Sequence, residues 1–361
     1  MRLVSAATVK PGAIIAKPIY NDKGQILLNK DVVLSEGIIN RLQASGITNL
    51  FIKDERTDDI EYNGTVSDTL RREAIKVINS TFIDLQNNPK INSSFVIEKA
   101  SKRFSELIRS LLTEINEKKE LLTLLSDAYT YDNYIFTHSL NVTLYSLAIG
   151  MQLKLSQKEL EILGTGAIFH DIGKLSVPLD ILLKPDKLTE VEYLTIKKHA
   201  DDGFQILRKV STIPLLVSHC AFQHHERLNG SGYPRGIKGE EIHFFAKIIA
   251  VADVFDAVTS NRVYRKALLP HEGLEILYAG SGTLYDQSIV EAFHRAVAIY
   301  PVGITVRLND GRKGIISRQN VGLGDRPIVR VLKHHAEEVV PYEVDLKKEL
   351  NLIITDCDTA Y

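Results

Sequence analysis

Cysteine is almost missing: the chain of 361 residues carries two, Cys220 and Cys357. That excludes a disulfide framework and a cysteine-rich zinc site, and it fits a reducing cytoplasm. No run of about 18 uncharged apolar residues occurs, and the apolar stretch ahead of Lys10 and Pro11 is short and broken. Neither a signal peptide nor a membrane span is expected. An excess of either charge is missing too, with 44 Lys+Arg against 45 Asp+Glu and a formal net charge of −1. Such a balance offers no basic surface to hold a nucleic-acid polymer. Internal repeats and low-complexity segments are absent.

What is present describes a folded chain. The apolar fraction of 44% and the charged fraction of 25% lie near globular averages. At roughly 150 residues per domain the length suggests about two or three domains. Residues 1–55 combine short β-rich runs, such as Ala13 to Ala16, with a turn signal at Asn21-Asp22-Lys23-Gly24 before Gln25 to Leu28. A helix is predicted from Ser35 to Ser45, stopped by Gly46, and then a strand from Asn49 to Lys53. The polar stretch 54–66 reads as a linker.

From Ser67 the apolar period becomes helical. Leu70, Ala74, Val77, Ile78 and Phe82 form one stripe, and Ile97, Ala100, Phe104, Leu107, Ile108, Leu111 and Ile115 a second, separated by a polar stretch holding Pro89. Such stripes serve a core or a dimer seam, so a homodimer through this region is one reading. Helix starts are marked by capping boxes at Ser156 with Glu159 and at Thr189 with Glu192, and by Pro214. After Pro301 the period falls to two, with a turn signal at Asn309-Asp310-Gly311 and β-rich runs at Gly314 to Ser317 and Ile328 to Leu332. The expected architecture is mainly α. Its parts are a small α+β module (1–55), a linker with amphipathic helices (56–118), a helical body (119–300) and a small β module (301–361).

Histidine is concentrated in that body: all eleven lie at or beyond position 138, eight of them between His138 and His271. His170-Asp171 closes the apolar run Ala167-Ile168-Phe169, where a carboxylate is costly to bury without a metal or a partner. His138, His199, the pair His224-His225, and Asp253 after the apolar run Ile248 to Ala252 have the same character. Any one of these residues alone reads as a satisfied core or surface group. Together they suggest a dinuclear metal site. Imidazole and carboxylate without thiolate suit iron or manganese at least as well as zinc, and an aspartate can bridge two ions about 3.5–4 Å apart.

The ordered series His170-Asp171-Ile172-Gly173-Lys174, His199, His224-His225-Glu226, Gly230-Ser231-Gly232-Tyr233-Pro234 and Asp253 resembles the HD-GYP family, the HD-domain phosphohydrolases that hydrolyse cyclic di-GMP. The resemblance covers about residues 119 to 300 and implies a helical HD-type fold. It implies that His138, His170, Asp171 and Asp253 hold one metal and that His199, His224 and His225 hold a second, with Asp171 bridging. Lys174 would touch the phosphate, Arg262 and Arg265 would bind phosphate, and Tyr233 would line the substrate pocket. Some members add a third metal through a glutamate one turn before the first histidine. Here that position is Tyr134, so two divalent ions, iron or manganese, are expected rather than three.

The expected activity is metal-dependent hydrolysis of cyclic di-GMP to pGpG, or on to GMP. Two alternatives stand beside it: an HD hydrolase of another nucleotide, such as a mixed cyclic dinucleotide, and a receptor that binds a cyclic dinucleotide without turnover. His219, His243, His271, His294, His334 and His335 match no motif and read as structural or surface groups, and Cys220 reads as a buried filler.

Overall fold

The computed structural model describes residues 1–20, 25–47, 49–60, 64–87, 93–118, 122–123, 134–260, 268–335 and 337–357. At the N-terminus β1 (Arg2–Ser5) pairs antiparallel with β4 (Asn49–Ile52), and β2 (Ile19–Tyr20) pairs with β3 (Ile26–Leu28). Between them α1 (Glu36–Ala44) starts where the Ser35 hydroxyl accepts from the Ile38 amide, and it buries Ile39 and Leu42. These residues join Val4, Ile15, Leu34, Leu50 and Ile52 in an apolar cluster of their own. The expected turn at 21–24 lies outside the described residues. The run Ala13 to Ala16 makes isolated bridges, Ile14 to Val33 and Ile15 to Ile52, in place of a strand.

Both helical stripes form helices, α2 (Asp68–Asn87) and α3 (Ser93–Lys118). Their apolar residues, among them Ile78, Ile97, Phe104, Ile108 and Leu111, are buried within this single chain, so the stripes serve the core. At the entry to α2, the Ser67 amide and hydroxyl both donate to the Glu114 carboxylate of α3, at 2.6 and 2.8 Å. Contacts between Lys17 and Asp68 (3.2 Å), and between the Arg72 guanidinium and the Tyr20 ring (4.0 Å), tie α2 back to the N-terminal module.

The same core continues through α4 (Tyr134–Gln152), α5 (Gln157–Phe169), α9 (Leu215–Gln223), α10 (Phe244–Thr259) and α12 (Gln287–Ala296). Between them lie α6 (Leu179–Leu182), α7 (Glu190–Lys197), α8 (His199–Leu207) and α11 (Pro270–Ala279), of which α8 adds Leu207 and α11 adds Leu274 and Leu277 to the core. Helix α4 is apolar on nearly every face, with Leu140, Val142, Leu144, Leu147 and Ile149 fully buried, which is the pattern of a central helix. At about 1.5–3 kcal/mol for each large aliphatic side chain buried, this helix is a strong anchor for whatever it carries. The capping boxes at Ser156 and Thr189 are both formed, while Pro214 stands just ahead of α9.

Beyond α12 the backbone becomes extended. Strand β6 (Val297–Ala298) runs parallel to β5 (Leu122–Thr123). Then β7 (Thr305–Leu308), β8 (Arg312–Asn320), β9 (Leu323–His334), β10 (Glu337–Asp345) and β11 (Ile354–Cys357) form an antiparallel sheet in the order β10-β9-β8-β7-β11. Residues of β1 meet this sheet: the Leu3 amide donates to Gly303 O at 2.8 Å, and the Thr305 hydroxyl donates to Leu3 O at 3.1 Å. Among the described residues no helix is long and apolar enough to cross a membrane.

Candidate metal centre

Five elements deliver the site. His138 lies on α4, and His170 caps the C-terminus of α5 with Asp171 next to it, at the entry to a 3-10 turn over Ile172–Ser176. His199 opens α8, His224 caps α9 with His225 following, and Asp253 sits on the buried face of α10. The turn after Asp171 packs tightly on the start of α8: a Cβ at Gly173 would run into the His199 carbonyl and lie 2.6 Å from the Gly203 amide nitrogen. Only glycine allows this approach, which brings Asp171 and His199 together. At Gly232 a Cβ would meet the Arg227 amide nitrogen at 2.5 Å, so glycine lets the following residue, Tyr233, fold back over His225.

The two oxygens of Asp171 face different histidines. Oδ2 is 3.6 Å from His138 Nε2 and 3.4 Å from His170 Nε2, whereas Oδ1 is 3.4 Å from His199 Nε2 and 3.8 Å from His224 Nε2. Two sets of potential ligands therefore share one carboxylate: His138, His170 and Asp171, and Asp171, His199, His224 and His225, each with its ligand atoms within 4.8 Å of one another. Asp253 stands beside both, with Oδ1 at 3.2 Å from His138 Nε2 and Oδ2 at 3.8 Å from His225 Nδ1.

The histidines are oriented from behind. Nδ1 of His170 is 2.7 Å from Ala167 O, Nδ1 of His199 is 2.7 Å from Ile196 O, and Nδ1 of His224 is 2.9 Å from Ala221 O. A carbonyl only accepts, so each Nδ1 carries the proton and each Nε2 presents a lone pair to the interior. His138 Nδ1 makes the corresponding contact with the Asp256 carboxylate, at 2.7 Å. Among the described residues, the buried His170 Nε2 and Asp171 Oδ1 have no hydrogen-bond partner. Buried polar atoms in that condition are costly, and a divalent cation between them removes the cost. The residues present fit a metal.

Electrostatics favour the same use. Burial disfavours ionisation of Asp171, yet Lys174, His170 and His199 outweigh it and hold the carboxyl well below the usual range. Asp253 is likewise held low, against its burial, by His138 and His225. Burial, reinforced by neighbouring imidazoles, keeps His224 and His225 neutral, the form that binds a metal, and burial lowers His199. His138 goes the other way: burial opposes its charge, but the hydrogen bonds it donates to the Asp253 and Asp256 carboxylates raise it to about 9.

Lys174 is found on Asp171 itself, with its ammonium paired to Oδ2. The Tyr233 ring stacks on His225, with centroids 4.5 Å apart and planes 27° apart, and the Lys197 ammonium lies 5.1 Å from the ring centroid of Tyr233. Arg262 and Arg265 lie outside the described residues. Of the unassigned histidines, His243 caps α10 by accepting from the Phe245 amide, His271 meets the Tyr300 hydroxyl at 2.6 Å, and His294 pairs with Asp325 at 2.8 Å. Cys220 is fully buried, and burial pushes its thiol up to about 12, as suits a filler.

Sequence reasoning missed Asp256 and Asn141, which form the layer behind His138. One signal was available: Asp256 follows Asp253 by three residues on a buried helical run, the spacing that puts both carboxylates on one face.

Fold and site together define a helical domain that gathers histidines and aspartates around a shared carboxylate, a set of groups that suits a divalent metal. The family model described as HD domain matches residues 105–289, just over half of the chain, and the chain belongs to that family. It is 36% identical over 216 residues to a cyclic di-GMP phosphodiesterase of Pseudomonas aeruginosa, an alignment covering 60% of this chain and 52% of the relative. It is 38% identical over 207 residues to a cyclic di-GMP phosphodiesterase response regulator of Xanthomonas campestris pv. campestris, covering 56% and 55%. A 3'3'-cGAMP-specific phosphodiesterase of Vibrio cholerae is 39% identical over 168 residues, covering 46% and 36%. The chain spans about half the length of the first two relatives and less of the third.

Proposed function

We propose that the chain is a metal-dependent phosphodiesterase that hydrolyses cyclic di-GMP to linear pGpG and then to GMP. The observation that carries this reading is the division of Asp171, one oxygen toward His138 and His170 and the other toward His199 and His224. A carboxylate divided in this way would serve as a ligand common to two cations. The cyclic dinucleotide substrate rests on the names of the relatives, two of which act on cyclic di-GMP. A mixed cyclic dinucleotide is the second reading, favoured by the relative specific for 3'3'-cGAMP.

In this proposal His138, His170, Asp171 and Asp253 would hold one metal, and His199, His224, His225 and Asp171 the other. Histidine and carboxylate ligands without thiolate suit iron or manganese. When bound, a pair of divalent cations supplies an acidified water near neutral pH and charge stabilisation for phosphoryl transfer. The protein does the rest. The backbone carbonyls behind His170, His199 and His224 keep each Nε2 turned inward, so the ligands are in place before substrate arrives. Lys174, at the mouth of Asp171, and Arg262 and Arg265 offset charge that develops on the phosphoryl oxygens. Tyr233, braced on His225, forms a flat wall against which a base can lie, and the Lys197 ammonium beside it adds positive charge for the dinucleotide.

The domain limits belong to the proposal as well. The separate apolar cluster from Val4 to Ile52 supports a unit ending near residue 55. The helices of 56–118, the body and the C-terminal sheet share one continuous core, so those parts are units of sequence pattern built on common packing.

Two predictions follow from the assigned roles. Changing Arg262 and Arg265 together to alanine is expected to lower kcat/KM for cyclic di-GMP by about 10²-fold or more, the scale on which removing a charge-stabilising donor is felt. Metal content should stay at the wild-type level, and kinetics run beside elemental analysis check both. The second prediction concerns the count. The position one turn ahead of His138 is a tyrosine, Tyr134, and not the carboxylate a third cation needs. Protein purified without chelator should carry about two ions per chain, located by anomalous scattering; three fully occupied ions would refute the assignment.

A further inference from the structure

Helix α2 lies outside the segment matched by the family model, yet one of its side chains reaches toward the candidate metal centre. Arg71 is 5% exposed. Its Nη2 donates to Asn141 Oδ1 at 3.2 Å, and Asn141 Nδ2 donates to Asp256 Oδ1 at 2.8 Å. The other oxygen, Asp256 Oδ2, faces His138 Nδ1 at 2.7 Å. Four side chains from α2, α4 and α10 thus form one hydrogen-bonded line ending on a proposed ligand.

We propose that Arg71 is a positioning residue for the metal centre, acting on His138 through Asn141 and Asp256. This rests on the reading of His138 as a metal ligand. The chemistry of each link gives the line its direction. A guanidinium has donors and no acceptor, so Arg71 fixes the oxygen of the Asn141 amide toward itself and leaves the NH2 group for Asp256. Without Arg71 the Asn141 oxygen loses its donor, and the amide is held by its bond to Asp256 alone, free to swing about that contact. With Asn141 held, one oxygen of Asp256 is pinned and the other is aimed at His138, which sets the ring plane and the direction of Nε2.

The placement of Arg71 depends on α2, and α2 is tied to the N-terminal module through Lys17 with Asp68 and Tyr20 with Arg72. Affinity for the metal held by His138 therefore depends on a helix docked from outside the family-matched segment. In the second ligand set His199 and His224 take their orientation from the carbonyls of Ile196 and Ala221 instead.

The test uses the full chain, stripped of metal and titrated with Mn²⁺, with free Mn²⁺ read by electron paramagnetic resonance. Losing a partner behind a ligand costs roughly 10–100-fold in metal affinity, and Arg71 is two links further back, so Arg71→Met should weaken one equivalent by about 5–10-fold. The other equivalent should stay within about two-fold. Arg71→Lys, which keeps a donor, should recover at least half of the loss on a logarithmic scale. In an Asn141→Leu background, where the line is already cut, Arg71→Met should add nothing to the metal loss. A merely structural arginine would instead lower the melting temperature and leave the ratio of the two affinities unchanged. Asn141→Leu alone must weaken the same equivalent, which keeps the test open should the Arg71→Met chain not fold. Wild-type binding of both equivalents in Arg71→Met, or full additivity with Asn141→Leu, would overturn the inference and leave the metal reading standing. A wild-type chain that takes up no Mn²⁺ would overturn that reading and this inference with it.

Discussion

Asp171→Ala is expected to empty both metal positions and reduce turnover of cyclic di-GMP to background, a loss of at least about 10³-fold. The two ligand sets have Asp171 in common, so its removal takes a charged ligand from each at once. The residues left behind also repel further cations. Lys174 loses the carboxylate it pairs with, and its ammonium leaves uncompensated positive charge near His199. Asp253 is the remaining aspartate at the centre and is engaged with His138 and His225. Elemental analysis of the purified variant, beside circular dichroism to confirm the fold, checks the outcome. Retention of wild-type metal content would place Asp171 outside the centre.

Gly173→Ala should be nearly as damaging, by a different route. Its Cβ would overlap the His199 carbonyl, and that carbonyl belongs to the first residue of α8, where no flexible side chain can give way. The turn over Ile172–Ser176 must separate from α8, carrying Asp171 away from His199 and His224. Overpacking against backbone costs about 3 kcal/mol or more, which lowers the melting temperature by about 5–10 °C. The expected signature is selective: the metal shared by His199, His224 and His225 is lost before the one at His138 and His170. Thermal melting and metal analysis on the same preparation separate this from global unfolding. A variant with unchanged melting and full metal would show that the contact between the turn and α8 is not tight.

How far the sequence could be read differs from element to element. The residues that gather at the candidate centre were legible because each combines a side chain able to bind metal with an apolar setting, as His170-Asp171 does after Ala167-Ile168-Phe169. Capping boxes at Ser156 and Thr189 were legible because an N-cap is local chemistry within four residues. The supporting layer was not. Arg71, Asn141 and Asp256 come from three helices and meet only after packing, and a polar residue in a helical sequence reads as a solvated face until its neighbours are known. Asp256 carried a signal in its helical spacing from Asp253, yet the sequence reading did not include it. In the C-terminal module the alternation of Ile304, Val306 and Leu308 announced strands, but not that β11 returns to pair with β7, a contact across nearly fifty residues. The parallel pairing of β5 with β6 and the docking of β1 on the sheet are equally non-local. Arg262 and Arg265 fall outside the described residues, so their assignment still rests on the motif.

The most direct test of the central claim is turnover of cyclic di-GMP by the full chain after anaerobic loading with iron or manganese, with products separated by chromatography. The account predicts linear pGpG from the loaded wild-type protein, followed by GMP, with no product from the chelated protein or from Asp171→Ala. Loaded wild-type protein that binds cyclic di-GMP and releases no linear product would contradict it.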